Sequence, residues 1–316
     1  MKTSLFTAAI ACGVLAAGAA PAIAAFPGEN GRILFESSRA GGTGPDIWTV
    51  GPNGRNPVKL TAGTRASWRP DGRKIVFMSD RAGPGNPTLD FELFVMNADG
   101  SQPTQITFND LDDEFPAWSP DGRMIVFSRD FNPVRGEFDN DILTMKADGT
   151  RERNLTNSPG VQDVDPEWSP DGDRIAFASE RDGDAEIYTL KPDGSRLRQL
   201  TANAAWDVEP SWSPDGRRLA FTSDRDATAE TPFQAEIYTM RADGDDQTRL
   251  TFDDLTDFVP AWSPDGRRIA FATFRHATPE NFNAEIYTMR ADGRQLVNVT
   301  QNTAFDGAPD WQPLKH

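Results

Sequence analysis

Residues 262–266 read Trp262-Ser-Pro-Asp-Gly266, and the same phrase returns four more times in this chain of 316 residues. The other copies, the first with Arg in place of Ser, are Trp68-Arg-Pro-Asp-Gly72, Trp118-Ser-Pro-Asp-Gly122, Trp168-Ser-Pro-Asp-Gly172 and Trp212-Ser-Pro-Asp-Gly216. Successive tryptophans are 50, 50, 44 and 50 residues apart. Self-similarity at a period of this size indicates a repeat architecture in which each copy is one supersecondary unit.

Short strand signals follow each copy of the phrase. After the last copy come the apolar run Arg268-Ile-Ala-Phe271, a loop of variable sequence, and the second run Glu285-Ile-Tyr-Thr-Met289. An Asp-Gly turn and a short segment ending in Leu-Thr or a similar pair close the unit, so each unit has four predicted strands, A to D. Asp-Gly suits the tight A–B and C–D turns, because Gly accepts positive φ and Asp bonds its own backbone. Four strands at this period predict an all-β fold built from propeller blades.

The two ends of the chain are complementary. The first unit begins directly at a strand B, Gly31-Arg-Ile-Leu-Phe35, and the last segment, Ala308-Pro-Asp-Trp-Gln-Pro313, is a lone strand A. We therefore predict six four-stranded blades, with the C-terminal strand completing the N-terminal blade and closing the ring. The predicted bounds are 27–61 with 301–313 for blade 1, then 62–107, 108–156, 157–201, 202–251 and 252–300 for blades 2 to 6.

The repeated phrase, with Ile-Ala-Phe, Ile-Tyr-Thr-Met and Ala-Asp-Gly after it, resembles the repeat of the TolB-type propellers of bacterial envelopes. Related repeats form the propeller domain of prolyl oligopeptidase-like enzymes. The resemblance covers roughly residues 28–313 and implies a binding module with a protein or peptide partner in the cell envelope. TolB proper has an α/β domain ahead of its propeller, and oligopeptidases have a hydrolase domain; we expect this chain to have neither.

Residues 1–24 are predicted to be a secretory signal peptide. Lys2 supplies the positive charge, an Ala-rich apolar run extends from Leu5 to Ala19, and Ala22-Ile-Ala24 has the small-x-small pattern of a cleavage site. The alternatives are a retained membrane anchor, for which the run is short, and lipidation of Cys12. Cleavage leaves residues 25–316 as a single propeller without cysteine and without a membrane span, located in the periplasm or outside the cell.

Composition excludes several classes of protein. The formal net charge is −16, from 32 Lys and Arg against 48 Asp and Glu, which argues against a nucleic-acid partner. One Cys and two His leave no room for a Cys-rich metal site or a disulfide scaffold and little for His-dependent catalysis. We expect a monomer, because a closed ring has no need of a second subunit.

An aspartate recurs five positions before the strand-A tryptophan, in the loop that joins strands D and A. The series is Asp113, Asp163, Asp207, Asp257 and Asp306, with Gly63 at the sixth position. Because strands alternate in direction, the D–A and B–C loops share one face of the ring, here called the variable-loop face, and the A–B and C–D turns share the other, the turn face. One interpretation is an acidic channel mouth that binds a basic partner, an amine or calcium. The other is that each carboxylate caps its own loop.

A second acidic series precedes strand C, and an arginine follows strand B. The acidic residues are Asp46, Glu92, Asp141, Glu186, Glu236 and Glu285, and the arginines are Arg39, Arg81, Arg181, Arg225 and Arg275. We predict that each arginine pairs with the acidic residue of its own B–C loop and braces that loop.

The B–C loops vary most between blades, and variable loops on a rigid scaffold usually carry binding residues. Four aromatic residues in them, Phe131, Phe138, Phe233 and Phe282, are candidate contact residues, the alternative being that they fold the loops down.

We predict no catalytic residue, no metal ligand and no cofactor apart from the calcium alternative, since no nucleophile elbow, P-loop or His-Glu-x-x-His motif is present. His276 is predicted to be a solvated loop residue. Two alternative functions remain: a receptor for a small ligand or cation, and a carboxylate- or metal-dependent hydrolase of lactones or sugars.

Overall fold

The structure is a computed structural model, and it describes residues 26–41, 44–81, 89–132, 138–228, 231, 234–278 and 283–314. The predicted signal peptide, 1–24, lies outside the described residues, as do parts of the B–C loops. In the described part of the chain there is no helix long and apolar enough to cross a membrane.

Within the described ranges, twenty-four strands form six sheets of four strands each. In chain order, the strands of the first three sheets are β1(Glu29–Ser37), β2(Asp46–Val50), β3(Val58–Ala62), β4(Thr64–Trp68), β5(Lys74–Ser79), β6(Glu92–Asn97), β7(Thr104–Gln105), β8(Asp113–Trp118), β9(Met124–Asp130), β10(Asn140–Lys146) and β11(Arg153–Asn154). The remaining strands are β12(Asp163–Trp168), β13(Ile175–Ser179), β14(Glu186–Leu190), β15(Arg198–Gln199), β16(Asp207–Trp212), β17(Arg218–Ser223), β18(Glu236–Arg241), β19(Thr248–Arg249), β20(Asp257–Trp262), β21(Arg268–Thr273), β22(Glu285–Arg290), β23(Val297–Asn298) and β24(Asp306–Leu314).

Strand order confirms the predicted closed ring of six blades. Five sheets consist of four consecutive strands, and the sixth has the order β24-β1-β2-β3. The last strand therefore supplies the innermost position of blade 1, where Trp311 pairs with Ile33. Main-chain pairing between the two ends of the chain removes the free edge that an open array of blades would have.

The repeated phrase builds the A–B turn. In blade 5 the Ser213 hydroxyl donates to Asp215 Oδ1 at 2.6 Å, and the Gly216 N–H donates to the Ser213 carbonyl at 2.8 Å. Gly216 has a φ of 67°, a conformation that residues with a Cβ seldom adopt. The turn needs each of these residues, which explains why the phrase is repeated.

Blades pack against each other through the strand-A tryptophans. Trp212 is fully buried, and it belongs to a core cluster that also contains Ala176, Ile187 and Leu200 of the preceding blade. On the turn face, a Cβ added to Gly244 would lie 2.5 Å from the carbonyl oxygen of Leu200, so the C–D turn meets the neighbouring blade without space for a side chain. Apolar burial between all neighbouring blades therefore holds the ring together.

Each innermost strand contains a bulge. Its pairing with strand B is interrupted after the first one or two residues, and the residue that follows has a positive φ. These six residues are Arg65, Phe115, Asp165, Glu209, Val259 and Ala308. A bulge re-aims the side chain of the extra residue, and here it turns one side chain per blade towards the centre of the ring.

Candidate functional site at the variable-loop face and the channel

The five aspartates of the D–A series are buried and paired with arginine. Their side chains have no exposed surface, and nitrogen-to-oxygen distances to the partner guanidinium groups are 2.6 to 2.9 Å. The pairs are Asp113–Arg129, Asp163–Arg181, Asp207–Arg225, Asp257–Arg275 and Asp306–Arg39. In this structure these aspartates therefore brace the loops, and each of their charges is opposed by an arginine.

Aromatic rings fix the position of each guanidinium group. In blade 5 the Arg225 guanidinium carbon lies 4.6 Å from the centre of the Tyr238 ring and 5.4 Å from that of Phe221. The Ser223 hydroxyl accepts a hydrogen bond from Arg225 Nε at 2.8 Å. Stacking and hydrogen bonding together leave one edge of the guanidinium for Asp207.

Blade 2 shows what happens when the aspartate is missing. Gly63 has a φ of 141°, and a Cβ there would lie 2.9 Å from the Met78 carbonyl oxygen, so the position is closed to an aspartate. Arg81 donates instead to the Thr61 hydroxyl at 3.2 Å and to the Ala62 carbonyl at 2.5 Å. Burial lowers the pKa of Arg81, and the charge of Asp80 opposes this shift.

The predicted pairing of these arginines with the acidic residues before strand C is wrong. Those carboxylates turn towards the D–A loop of their own blade, where Glu92 Oε1 accepts the Asn109 N–H at 2.8 Å and Asp141 Oδ1 accepts the Ser158 N–H at the same distance. Burial raises the pKa of Glu92 to about 7. The arginines reach the first residue of strand A instead, because it lies opposite the end of strand B in the sheet register.

The channel contains a buried charged cluster that the repeat pattern does not predict. Arg65, Asp165 and Glu209 come from blades 2, 4 and 5, and their charges influence one another, which is possible only across the centre of the ring. Arg65 Nη1, Asp165 Oδ1 and Glu209 Oε1 are buried and have no hydrogen-bond partner among the residues that the structure describes. Burial raises the pKa of Glu209 to about 7 and, despite the opposing effect of Arg65, raises that of Asp165 well above its usual range.

Exposed aromatic residues lie on the variable-loop face. Of the predicted contact residues, Phe131 and Phe138 are 39% and 43% exposed, whereas Phe233 and Phe282 lie outside the described residues. Phe108 and Phe252, which the sequence analysis missed, are 66% and 74% exposed. Both follow a threonine that lies two residues after strand D, and the same position is Ala, Asn, Ala or Gln in the other blades.

The acidic character of this face comes from residues outside the two predicted series. Exposed aspartates in the B–C and D–A loops are Asp80, Asp110, Asp182, Asp226 and Asp254. Two of them belong to the short segments Phe108-Asn-Asp110 and Phe252-Asp-Asp254, in which an exposed aromatic ring stands beside an exposed carboxylate. Protein-binding surfaces often combine aromatic anchors with charged surroundings in this way.

The sequence matches the family model described as the TolB beta propeller domain, over residues 14–163 and 140–277. The chain belongs to this TolB beta propeller family. Its structure is also similar to that of TolB from Acinetobacter baumannii, at 21% identity and a TM-score of 0.73, over 91% of this chain and 68% of that one. Putative TolB from Agrobacterium tumefaciens matches at 20% identity and a TM-score of 0.64, over 90% of this chain and 99% of that one.

The fold of the TolB beta propeller family also occurs in enzymes. Kuenenia stuttgartiensis hydrazine synthase matches at 16% identity and a TM-score of 0.73, over 92% of this chain and 48% of that one. At this identity the similarity shows the fold alone. In the present chain His276 is exposed, and its partner among the described residues is the Tyr287 hydroxyl.

A cluster of three carboxylates also has the spacing of a metal site. Oxygens of Glu236, Asp253 and Asp257 lie within 4.8 Å of one another. However, Arg275 Nη2 lies 2.8 Å from Asp253 and 2.9 Å from Asp257, and Arg249 Nη2 lies 2.5 Å from Glu236. Two guanidinium groups thus neutralise these oxygens, so we assign no metal to them.

Proposed function

We propose that this member of the TolB beta propeller family is an exported, non-catalytic binding module of the bacterial cell envelope. Its ligand is a protein or peptide segment with basic and apolar side chains, bound on the variable-loop face. The placement of Phe108 beside Asp110 and of Phe252 beside Asp254, all exposed, carries this proposal. Apolar anchors supply affinity, and the carboxylates select a cationic partner and speed its association.

The scaffold beneath this face supports the proposal. Buried Asp–Arg pairs such as Asp207–Arg225 fix the ends of the strands from which the loops arise. A preorganised surface loses less conformational entropy on binding. We assign Asp113, Asp163, Asp207, Asp257 and Asp306 to positioning of the loops and assign partner contact to the exposed residues around them, including Phe131 and Phe138.

Affinity capture from an envelope extract of the source organism tests the proposal. The bait is the purified protein, compared with the double variant Phe108→Ser and Phe252→Ser. The matched control is Leu197→Ser and Leu296→Ser, because these leucines are also exposed, at 46% and 44%, but lie in C–D turns on the turn face.

We expect one basic protein to be retained by the wild type and the control, to be lost by the double phenylalanine variant, and to be released near 1 M salt, where the screening length is about 3 Å. Equal retention by all three baits would place binding elsewhere on the molecule. Retention that is insensitive to salt would contradict the role of the carboxylates.

A second candidate function is cation binding in the channel, with calcium as the ion. Asp165 Oδ1 and Glu209 Oε1 favour it, because they are buried oxygens with no hydrogen-bond partner in the described part of the chain. Calcium at millimolar concentration is then expected to raise the melting temperature of the wild type by linkage and to leave that of Glu209→Gln unchanged. A shift of equal size in both proteins would exclude this site.

A further inference from the structure

The turn face carries a groove between blades 5 and 6. Its volume is about 1200 Å³, and its walls include Arg218, Arg267, Arg268 and Arg290 beside Trp262. Four guanidinium groups around one concavity are notable in a chain whose net charge is −16. A concave site lined by one sign of charge focuses its field on ligands of the opposite sign.

A second groove lies between blades 4 and 5. It has a volume of about 500 Å³ and is lined by Arg174, Arg198, Arg217 and Arg241. Arg218 lines both grooves, so they adjoin at this residue. Together the two grooves hold eight arginines and four aspartates, and they extend across three blades.

Comparison with the neighbouring blade explains why the larger groove is open. In the space between blades 4 and 5, Arg174 stacks over Trp212 at 4.5 Å and donates from Nη1 to the Ala242 carbonyl at 3.0 Å. This arginine therefore covers the tryptophan of the next blade and closes the inner part of the gap.

In blade 5, Arg218 occupies the position that Arg174 has in blade 4, directly before the apolar residues of strand B. Between blades 3 and 4 the equivalent residue, Met124, packs against the cluster that contains Trp168. Arg218 is exposed, and its guanidinium forms no hydrogen bond or ion pair with a residue that the structure describes. The groove beside Trp262, a residue that is itself buried, therefore faces a cation with unused donors.

Of the four aspartates at the grooves, Asp243 and Asp292 pair with Arg241 and Arg290 at 2.8 and 3.5 Å, and the other two are held by their own turns. Asp265 Oδ1 accepts the Ser263 hydroxyl at 2.6 Å and the Arg267 N–H at 3.0 Å, and Asp215 is held in the same way in blade 5. Within the described residues, the side chains of Arg217 and Arg267 make no hydrogen bond. These guanidinium groups therefore keep their donors for a ligand.

We propose that the two grooves together bind an extended polyanion whose charged groups are phosphates. The planar guanidinium fork matches phosphate oxygens in a bidentate manner, and several forks in a row fit successive phosphates along a chain. A concave slot between blades admits a chain, whereas a bilayer meets a protruding surface. Trp262 is only 4% exposed, so the groove offers phosphate contacts and no ring on which a nucleobase would stack. This site is on the opposite face from the proposed protein-binding surface and does not depend on it.

Fluorescence anisotropy with labelled inorganic polyphosphate tests the proposal. The groove variant is Arg217→Gln with Arg267→Gln, which removes one arginine from each groove. The matched control is Arg73→Gln with Arg123→Gln, because these arginines occupy the same position of the A–B turn in blades 2 and 3 and are exposed on the same face. Both variants change the net charge equally.

We expect the wild type and the control to bind polyphosphate alike and the groove variant to bind at least about tenfold more weakly, since each charge-assisted contact is strong. Orthophosphate is expected to compete only at far higher concentration. As a second variant, Arg218→Met removes the arginine that lines both grooves and introduces the residue that blade 3 has at this position. It is expected to weaken binding while the melting temperature is maintained.

Four results would overturn the inference. Equal weakening in the groove and control variants would mean diffuse attraction to the whole face. Equal affinity for polyglutamate would identify an acidic protein as the ligand class, and binding to anionic phospholipid vesicles without polyphosphate binding would identify a membrane surface. The absence of polyphosphate binding to the folded wild type would mean that the grooves are not a binding site for phosphate chains.

Discussion

Substitution of Asp163 by alanine is expected to destabilise the propeller by about 3 kcal/mol. Asp163 has no exposed surface, and its oxygens accept bonds from Arg181 Nη2 at 2.8 and 3.0 Å and from the Ser158 hydroxyl at 2.7 Å. Removing one partner of a buried ion pair costs about 3–5 kcal/mol, because the other charge stays buried and unpaired. The Arg181 side chain is 21% exposed and regains some water, which places the loss near the lower limit.

The assay is urea unfolding followed by tryptophan fluorescence, with three further variants. Asp254→Ala removes an exposed aspartate from the same face and is expected to change the unfolding free energy by less than about 0.5 kcal/mol. Arg181→Met and the double variant of Asp163 and Arg181 complete a double-mutant cycle. The double variant is expected to lose less than the sum of the two single losses, because it leaves no unpaired charge.

A loss below about 1 kcal/mol in Asp163→Ala would contradict the reasoning, since that is the size of an exposed salt bridge. So would strict additivity in the cycle, because it would mean that the two side chains stabilise the loop independently.

Three further predictions concern the fold and the channel. Gly244→Ala is expected to lower the melting temperature much more than Gly160→Ala, because both glycines have positive φ but only at Gly244 would the new Cβ meet the neighbouring blade. The unfolding free energy of the wild type relative to Glu209→Gln is expected to fall as the pH rises from about 4.5 to about 7. Burial raises the pKa of Glu209 to about 7 in the folded state, so the folded state holds the proton more tightly than the unfolded state. A free-energy difference that does not change with pH would contradict this. Removal of residues 306–314 is expected to abolish the cooperative unfolding transition measured by calorimetry, because the ring loses the strand that closes it.

Much of the fold follows from the repeat, because each repeated residue has a local task. The Pro-Asp-Gly turn, the apolar strands and the strand-A tryptophan are local features, and their period defines the blades. The incomplete units at the two ends predicted that the C-terminal strand completes blade 1, and the pairing of β24 with β1 confirms it. Partner choice among the charged residues was harder, because Arg181 stands between Asp163 and Glu186 in the sequence. The sheet register, which places Asp163 opposite Ser179 at the end of strand B, decides which of the two it reaches.

The channel cluster escaped the sequence analysis for a different reason. Its positions share a backbone conformation but no side-chain type, so comparing repeats by residue identity passes over Arg65, Asp165 and Glu209. Phe108 and Phe252 could have been noticed in the sequence, because they are aromatic at a position where the other blades have small or polar residues. The groove between blades 5 and 6 was not predicted, because no sequence pattern specifies which arginines of neighbouring blades line one concavity.

Hydrogen–deuterium exchange of the protein, with and without the envelope fraction that it captures, tests the proposed binding function most directly. We expect protection of backbone amides to be confined to the B–C and D–A loops and to be strongest around Phe108 and Phe252, with exchange in the turns of the opposite face unchanged. Protection centred on the A–B and C–D turns, or no protection on the variable-loop face, would contradict it.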